Sequence, residues 1–363
     1  MDSSQHSRPA PWRRLPGRGA RLNMAGRFEA THRDDSADGW DIPEEVPPLR
    51  TETRTERPRS MIARNRSPDL PFDRSANPYR GCEHGCIYCY ARPGHAHLGL
   101  SPGLDFESRL IARPDAPEVL AAELSKPRYR PAPLCLGSAT DPYQPVEARL
   151  RITRDLLDTL SAFNHPVTVM TRATLIERDL DILAPMAVRG LAQVGVSVTT
   201  LDRHLARRLE PRAPGPDQRL AMVRALARAG VPVRIMVSPV IPGLTDHEVE
   251  RILAAGAEAG ARAASWVLLR LPREVAPLFE DWLDRHAPDR KARVLNQLRQ
   301  MHGGALYDAR FETRMRGHGV MARLLADRFR AAARRCGLDQ PLAPLRCDLF
   351  TTPPRPGDQL SLF

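Results

Sequence analysis

The sequence predicts an α/β protein built on a parallel sheet. Two observations carry this. First, six largely apolar segments alternate with amphipathic stretches: a strand leading into Asn77, then 133–138, 167–171, 194–199, 231–240 and 265–271. Near-continuous apolar strands separated by helices mark βα units whose sheet is covered on its faces. Second, polar residues gather just after the strands, as in Gly137-Ser138-Ala139-Thr140-Asp141 and Thr171-Arg172. Ligands of parallel α/β folds sit at that end of the sheet, in an open doubly wound sheet and in a barrel alike. The pattern alone leaves both layouts open.

The elements follow in order. Residues 1–60 are rich in Arg, Pro, Asp and Glu and show no period, so they are expected to be a largely disordered extension. The core is expected over 61–272. Its helices are read at 117–126, 152–163, 176–188, 218–229 and 245–259, the last two closed by Gly230 and Gly260. Thr245 with Glu248 has the spacing of a capping box. Residues 273–337 are strongly charged and helical in pattern (274–286, 289–301, 318–336), with a turn-rich break at 303–308. They are expected to close the open side of the sheet or to dock a substrate. A Pro-rich tail occupies 338–363 and ends Gln359-Leu360-Ser361-Leu362-Phe363.

Composition narrows the class. The chain has 363 residues, 42% hydrophobic, enough for a sizeable core. It has no run of 18 apolar residues, and its arginine-bearing N-terminus lacks an apolar signal segment. A membrane span and secretion are therefore not expected, and cytoplasmic residence is. Cys135, Cys336 and Cys347 lie far from the other three cysteines and are expected as thiols. The net charge of +11 suits a polyanionic partner such as DNA, although its arginine bias also fits skewed codon usage.

Chemistry is concentrated in Cys82, Cys86 and Cys89, spaced C-x3-C-x2-C between Arg80 and Arg92. Three thiols so close leave one unpaired in any disulfide scheme but can converge on a metal. An iron–sulfur cube bound by three cysteines keeps one iron open for a small molecule. A zinc knuckle is the alternative, with His84, His95 or His97 as the fourth ligand.

The spacing, with Tyr88 before the last cysteine, resembles the signature of the radical S-adenosylmethionine (SAM) superfamily. The longer string Tyr79-Arg80-Gly81-Cys82 to Tyr88-Cys89-Tyr90-Ala91-Arg92 resembles its spore-photoproduct-lyase-like branch. The resemblance covers roughly residues 60–337. It implies a partial (β/α)6 TIM-like barrel and a [4Fe–4S] cluster on Cys82, Cys86 and Cys89. It further implies SAM on the open iron, an electron donor such as flavodoxin or ferredoxin, and formation of a 5′-deoxyadenosyl radical. Residues 17–29 resemble an N-terminal extension of this branch, part of which is expected to dock on the body.

By the same resemblance, Tyr88 lies near the adenine and Gly137, Ser138 and Thr140 meet the methionyl amino group. Here Gly-Ser-Ala-Thr-Asp replaces the usual Gly-Gly-Glu. Thr171, Arg172 and Ser197 fall at strand ends suited to ribose and carboxylate, and Val240 and Ile241 to an apolar wall. The lyases' hydrogen-donating cysteine matches Ala139. Tyr143, Asp141 and Cys135 remain as catalytic candidates, each of which also reads as an ordinary loop or strand residue.

The terminal Gln359-Leu360-Ser361-Leu362-Phe363 resembles the short peptide by which bacterial DNA-maintenance proteins bind the replication sliding clamp. Leu360, Leu362 and Phe363 would fill an apolar pocket, with Gln359 at its rim. The expectation is a repair-related radical SAM enzyme acting on DNA or a nucleotide-like substrate. The alternatives are the same chemistry on RNA or a peptide, and a non-enzymatic metal-binding module on DNA.

Overall fold

All six expected strands form, and they lie side by side. The computed structural model describes residues 17–28 and 49–354. The strands among them are β1 (Glu52–Thr55), β2 (Ala63–Arg64), β3 (Arg74–Ala76), β4 (Tyr79–Arg80), β5 (Arg109–Ala112), β6 (Leu134–Leu136), β7 (Val167–Thr171), β8 (Ala192–Ser197), β9 (Val233–Val240) and β10 (Ala263–Leu268). The α-helices are α1 (Asp105–Ser108), α2 (Ala116–Leu124), α3 (Glu147–Leu150), α4 (Ile152–Ala162), α5 (Leu180–Val188), α6 (Arg203–Leu209), α7 (Pro216–Arg228), α8 (Val249–Glu258), α9 (Val275–His286), α10 (Pro288–Met301) and α11 (Gly319–Arg335). None is long and apolar enough to cross a membrane among the described residues.

The large sheet runs β10-β9-β8-β7-β6-β3-β2. Its six main strands are parallel, and β2 joins β3 antiparallel. This is the partial barrel, with β10 and β2 as its two edges. Alternation along each strand sorts side chains between two faces. Val167, Val169, Val194, Val196, Val233 and Ile235 are fully buried in the main core with Leu156, Leu160, Met222, Leu226, Ile252 and Leu253 of the surrounding helices. The other face lines the barrel interior. There Gly195 leaves room for Met236, whose sulfur would lie 2.9 Å from a Cβ at that position.

A second sheet, β1-β5-β4, positions the cysteine loop. β4 runs directly into Gly81-Cys82 and pairs antiparallel with β5, which pairs in parallel with β1. This corrects the expected boundary at residue 60, since β1 lies inside the supposed disordered extension. Its sequence, Glu-Thr-Arg-Thr, is mostly exposed and is held by backbone pairing rather than by apolar burial.

Residues 17–28 also pack on the body. Glu107, fully buried, accepts the Gly19 and Ala20 amides at 2.9 Å each and pairs with Arg92 at 2.5 Å. Arg92, also fully buried, donates to the Cys86 carbonyl at 2.9 and 3.1 Å and to the Gly103 carbonyl at 2.9 Å. The approach is close enough that a Cβ on Gly19 would collide with the Gly85 carbonyl oxygen. Gly85 itself has φ +67° and would press a Cβ against Glu107.

The C-terminal helices take up the first of the two roles expected of them, closing the barrel. In α9 and α10, Phe279, Trp282, Leu283, Leu295 and Leu298 form a second core with Cys86, Ile87, Tyr88 and Ile241. The segment after α10 then straps the open side. The Leu268 amide at the end of β10 donates to the Met315 carbonyl at 2.9 Å. Across the gap, the Glu312 amide reaches Asp69 at 2.5 Å and Arg314 reaches Ser67 at 2.6 Å, both in the loop after β2. Residues 338–351, expected as the start of the tail, lie on the body. Leu338 accepts from the Ala264 amide at 3.0 Å, and Phe350 packs against Tyr129, Phe163 and His165. The expected capping box does not form: Thr245 Oγ1 accepts from the Ile241 amide, while Glu248 accepts from Thr200 and Leu201. The clamp-like peptide 359–363 lies outside the described residues.

Removing one member of a fully buried ion pair leaves the other charge stranded and costs about 3–5 kcal/mol. Glu107→Ala should lower unfolding free energy by about that amount in denaturant titrations, with faster proteolysis near residues 17–28. Asp327→Ala, in an exposed pair with Arg330, should cost about 1 kcal/mol or less. Equal effects of the two substitutions would refute the anchoring role of Glu107.

Candidate active site

The cysteine loop is wired into the barrel mouth from below and from both sides. The Cys82 amide donates to the Phe106 carbonyl at 2.8 Å and the Ile87 amide to the Leu209 carbonyl at 3.0 Å. Fully buried Gln144, from the turn after β6, accepts the Glu83 amide at 2.8 Å and donates to the Gly81 carbonyl at 3.2 Å. Asn77, at the end of β3, ties the same turn from the other side. It donates to Ser138 at 3.1 Å and accepts the Ala139 and Thr140 amides at 3.0 and 3.4 Å. Thr140 also donates to the Tyr79 carbonyl at 3.2 Å. Gly137, with φ +94°, passes so close to β7 that a Cβ would collide with the Met170 carbonyl oxygen.

All three loop cysteines are free thiols, Cys82 and Cys86 buried and Cys89 partly so. Burial, followed by the charges of Asp141, Cys86 and Cys89, pushes the Cys82 thiol well above its ordinary value. Burial likewise pushes Cys86 up to about 12. Thiolates grouped here need a cationic partner, which is the demand a metal cluster meets. Among the described residues no three His, Cys, Asp or Glu side chains converge on a single ion. The histidines considered for zinc are engaged elsewhere. His84 Nδ1 lies 3.4 Å from Asp141, His95 Nε2 lies 3.0 Å from the Arg109 carbonyl, and His97 packs against Phe28 with ring centroids 5.0 Å apart and tilted by 33°. An iron–sulfur cube places one thiolate on each iron rather than three on one ion. The cysteine group therefore fits a cluster better than a zinc knuckle.

Facing the loop is a buried polar network centred on Glu210. It accepts Arg172 at 2.7 Å and Thr199 at 2.9 Å, together with the Tyr88 hydroxyl and Arg219. Burial disfavours its charge, but Arg219 and Arg172 outweigh burial and hold the carboxyl at about 2. Arg172 also donates to Cys86 Sγ at 3.2 Å. Arg219 donates to the Ser197 carbonyl at 3.1 Å, so Ser197 is bound through its backbone. The sequence reading missed Glu210 and Arg219. Their one signal was a carboxylate and an arginine flanking the Pro-rich Pro211-Arg212-Ala213-Pro214, which reads equally as a solvated loop.

Several expected site residues serve the architecture. Asp141 accepts Thr171 Oγ1 at 2.7 Å and the amides of Arg172 and Tyr143 at 2.9 Å each. Burial opposes its charge, but His84 and these hydrogen bonds hold it at about 2. The Tyr143 hydroxyl is buried on Asp179 at 3.0 Å. Cys135 is fully buried mid-strand, outside the helix-facing core that holds Leu134 and Leu136. Tyr88 is buried under the loop, its hydroxyl on Glu210 and Thr199. Ile241 packs beside Cys86, Ile87 and Tyr88, whereas Val240 belongs to the main core. The structure thus gathers the cysteines, Arg172, Ser197, Ile241 and the 137–141 turn at one mouth. It turns Tyr143 and Val240 into the body.

A buried three-cysteine loop at the carboxyl end of a partial parallel barrel defines a class of cofactor-dependent α/β protein. Residues 76–255 match the radical SAM superfamily, and the chain belongs to it. The superfamily's cofactors are SAM and an iron–sulfur cluster. An uncharacterised protein of Mycobacterium tuberculosis is 37% identical over 222 residues, 61% of this chain and 65% of that protein. The Radical SAM Nalpha-GlyT isomerase of Pseudomonas phage M6 is 26% identical over 216 residues, 55% of this chain and 42% of that one. The chain thus spans about two thirds of the length of the mycobacterial relative. Spore photoproduct lyase complexed with dinucleoside spore photoproduct has the same fold, with TM-score 0.55 and 14% identity over 79% of this chain and 81% of that one.

After anaerobic reconstitution with iron and sulfide, Cys86→Ala should retain little iron and lose the visible iron–sulfur absorbance. A full complement of iron in that variant would refute its place among the ligands.

Proposed function

We propose that the chain is a radical SAM enzyme acting on DNA or a nucleotide-like substrate in a repair-related setting. The observation that supports this most is the buried Cys82, Cys86 and Cys89 loop, held by Arg92, Gln144 and the Glu210 network at the mouth of a radical SAM barrel. These cysteines would hold a [4Fe–4S] cluster, leaving one iron for SAM. The bound cofactors supply reductive cleavage of SAM to methionine and a 5′-deoxyadenosyl radical, the electron coming from a flavodoxin- or ferredoxin-like donor.

The chain's own residues prepare the place. Arg172, fixed by Glu210, directs its guanidinium at Cys86 Sγ and offsets the negative charge a cluster's thiolates bring. Asn77 and Asp141 hold the 137–141 turn so that its polar backbone faces the mouth. Ile87, Tyr88 and Ile241 supply an apolar wall that excludes water. Ala139, at the position of the lyases' hydrogen-donating cysteine, is exposed and carries no thiol. The hydrogen atom that ends a lyase-type reaction would then come from another donor, so the lyase route lacks support at this position.

Three observations favour a nucleic-acid substrate. The net charge is +11. A protein of the same fold, spore photoproduct lyase, is complexed with dinucleoside spore photoproduct. The terminal 359–363 peptide has the form of a sliding-clamp ligand, and a Pro-rich linker would keep it extended and lower its ordering cost.

Reduced, reconstituted protein should convert SAM to methionine and 5′-deoxyadenosine. With an oligodeoxynucleotide carrying deuterium on its bases and sugars, the 5′-deoxyadenosine should acquire deuterium. Cleavage of SAM with no label transfer from any DNA would exclude DNA as the substrate. Deleting residues 359–363 should abolish binding to the sliding clamp in surface plasmon resonance and leave SAM cleavage intact. Equal clamp affinity with and without the peptide would rule out recruitment by this route.

A further inference from the structure

At the mouth, beside the strap that crosses the open side of the barrel, lies a cation with no counter-charge among the described residues. Arg270 follows β10 directly. Its guanidinium carbon lies 4.7 Å from the Tyr90 ring centroid and 5.9 Å from that of Tyr307. Its Nη1 reaches the Met315 sulfur at 3.2 Å, a weak acceptor, and its buried Nε has no acceptor among the described residues. Among the described residues no carboxylate pairs with it. Three other inner arginines are matched, Arg92 with Glu107 and Arg172 and Arg219 with Glu210, whereas Arg234 in β9 shares with Arg270 a buried Nε without an acceptor among the described residues.

The placement is specific. Tyr90 follows the cluster cysteine Cys89, is 46% exposed, and donates its hydroxyl to the Ser138 carbonyl beside exposed Ala139. Tyr307 comes from the strap itself and is steadied by His302, ring to ring at 6.4 Å. Two aromatic rings hold the planar guanidinium by its faces; with Nε buried and Met315 taking one Nη1 hydrogen, the remaining Nη1 and Nη2 hydrogens are its open donors. Those donors form a fork that matches two oxygens of a phosphate. Half-exposed aromatic rings beside a cation are the elements with which proteins hold single-stranded nucleic acid, by stacking on bases and pairing with the backbone.

Resting on the nucleic-acid reading above, we infer that Arg270 recognises a backbone phosphodiester of the substrate, while Tyr90 and Tyr307 present a stacking surface to the adjoining base. Arg270 is here a substrate-binding residue, and the strap carrying Tyr307 and Met315 is its positioning element.

The test uses the reconstituted holoenzyme with SAM and a short fluorescein-labelled oligodeoxythymidylate, followed by anisotropy over a series of NaCl concentrations. Arg270→Gln should weaken binding about tenfold at low salt. It should also make the slope of log affinity against log salt shallower by about 0.7, the share of one phosphate contact on a single strand. Arg270→Lys should restore the slope but only part of the affinity, because it keeps the charge and loses the fork. Arg330→Gln, removing an exposed charge on α11 paired with Asp327, should leave the slope unchanged. Against a methylphosphonate oligomer, whose backbone is neutral, wild type and Arg270→Gln should bind alike.

Equal slopes for wild type and Arg270→Gln would overturn the assignment while the nucleic-acid reading stood on wild-type binding. Displacement of the oligonucleotide by equimolar inorganic phosphate would overturn it in favour of a free phosphate. A loss of SAM affinity with oligonucleotide binding intact would assign the arginine to SAM instead. A wild-type protein that binds no oligonucleotide would remove both the inference and the reading beneath it.

Discussion

The buried pair of Arg92 and Glu107 is the constraint on which the cysteine loop depends. Neither side chain is exposed, and every polar group of the pair is used. Arg92 collects carbonyls from the loop and from residues 102 and 103, while Glu107 collects amides from residues 19 and 20. A charge pair taken this far from water is tolerated only when surrounding hydrogen bonds complete it. The same completeness makes it informative. Three stretches far apart in sequence are fixed to one another through two side chains, and the loop's backbone cannot drift without breaking the set.

A second set of charges lies on the opposite side of the loop and has another purpose. Glu210 is matched by two arginines, so the network of Arg172, Arg219 and Glu210 carries a net positive charge before any cluster is bound. That excess is aimed at Cys86 Sγ. A site that must receive several thiolates gains from positive charge already in position, since no side chain then has to reorganise when the cofactor arrives. The rigid pair at the base of the loop and the charge-tuned network above it thus divide the work between geometry and electrostatics.

How much of this could be read from the sequence follows from how each part is stabilised. The six parallel strands were legible because their helix-facing positions are fully buried and aliphatic, as at Val167 and Val169, with partly buried residues such as Thr168 between them. The small sheet was not legible. β1 and β4 are short, and β1 is charged and held by backbone pairing, so neither leaves a hydrophobic period. The cysteines announced themselves by spacing. Glu210 and Arg219 did not, because a buried carboxylate in a Pro-rich loop looks like an exposed one until its partners are placed. The same ambiguity holds for Tyr143 and Asp141. Their position after a strand suggested chemistry, while their partners, Asp179 for the Tyr143 hydroxyl and the Thr171 hydroxyl and Arg172 amide for Asp141, are visible only in three dimensions. Arg270 sits just after the sixth strand in sequence, yet its lack of a carboxylate partner among the described residues is a property of three-dimensional surroundings alone.

An incomplete barrel has a liability that a closed one lacks. Its last strand offers a row of unpaired backbone groups to any passing extended chain, and such edges seed aggregation. In β10 the outward donors of Ala264 and Leu268 are taken by Leu338 and Met315, both from the same polypeptide. The C-terminal segments therefore act as a blocking strand of irregular shape, satisfying the edge without extending the sheet. An open barrel is in this way kept from pairing edge to edge with its own copies.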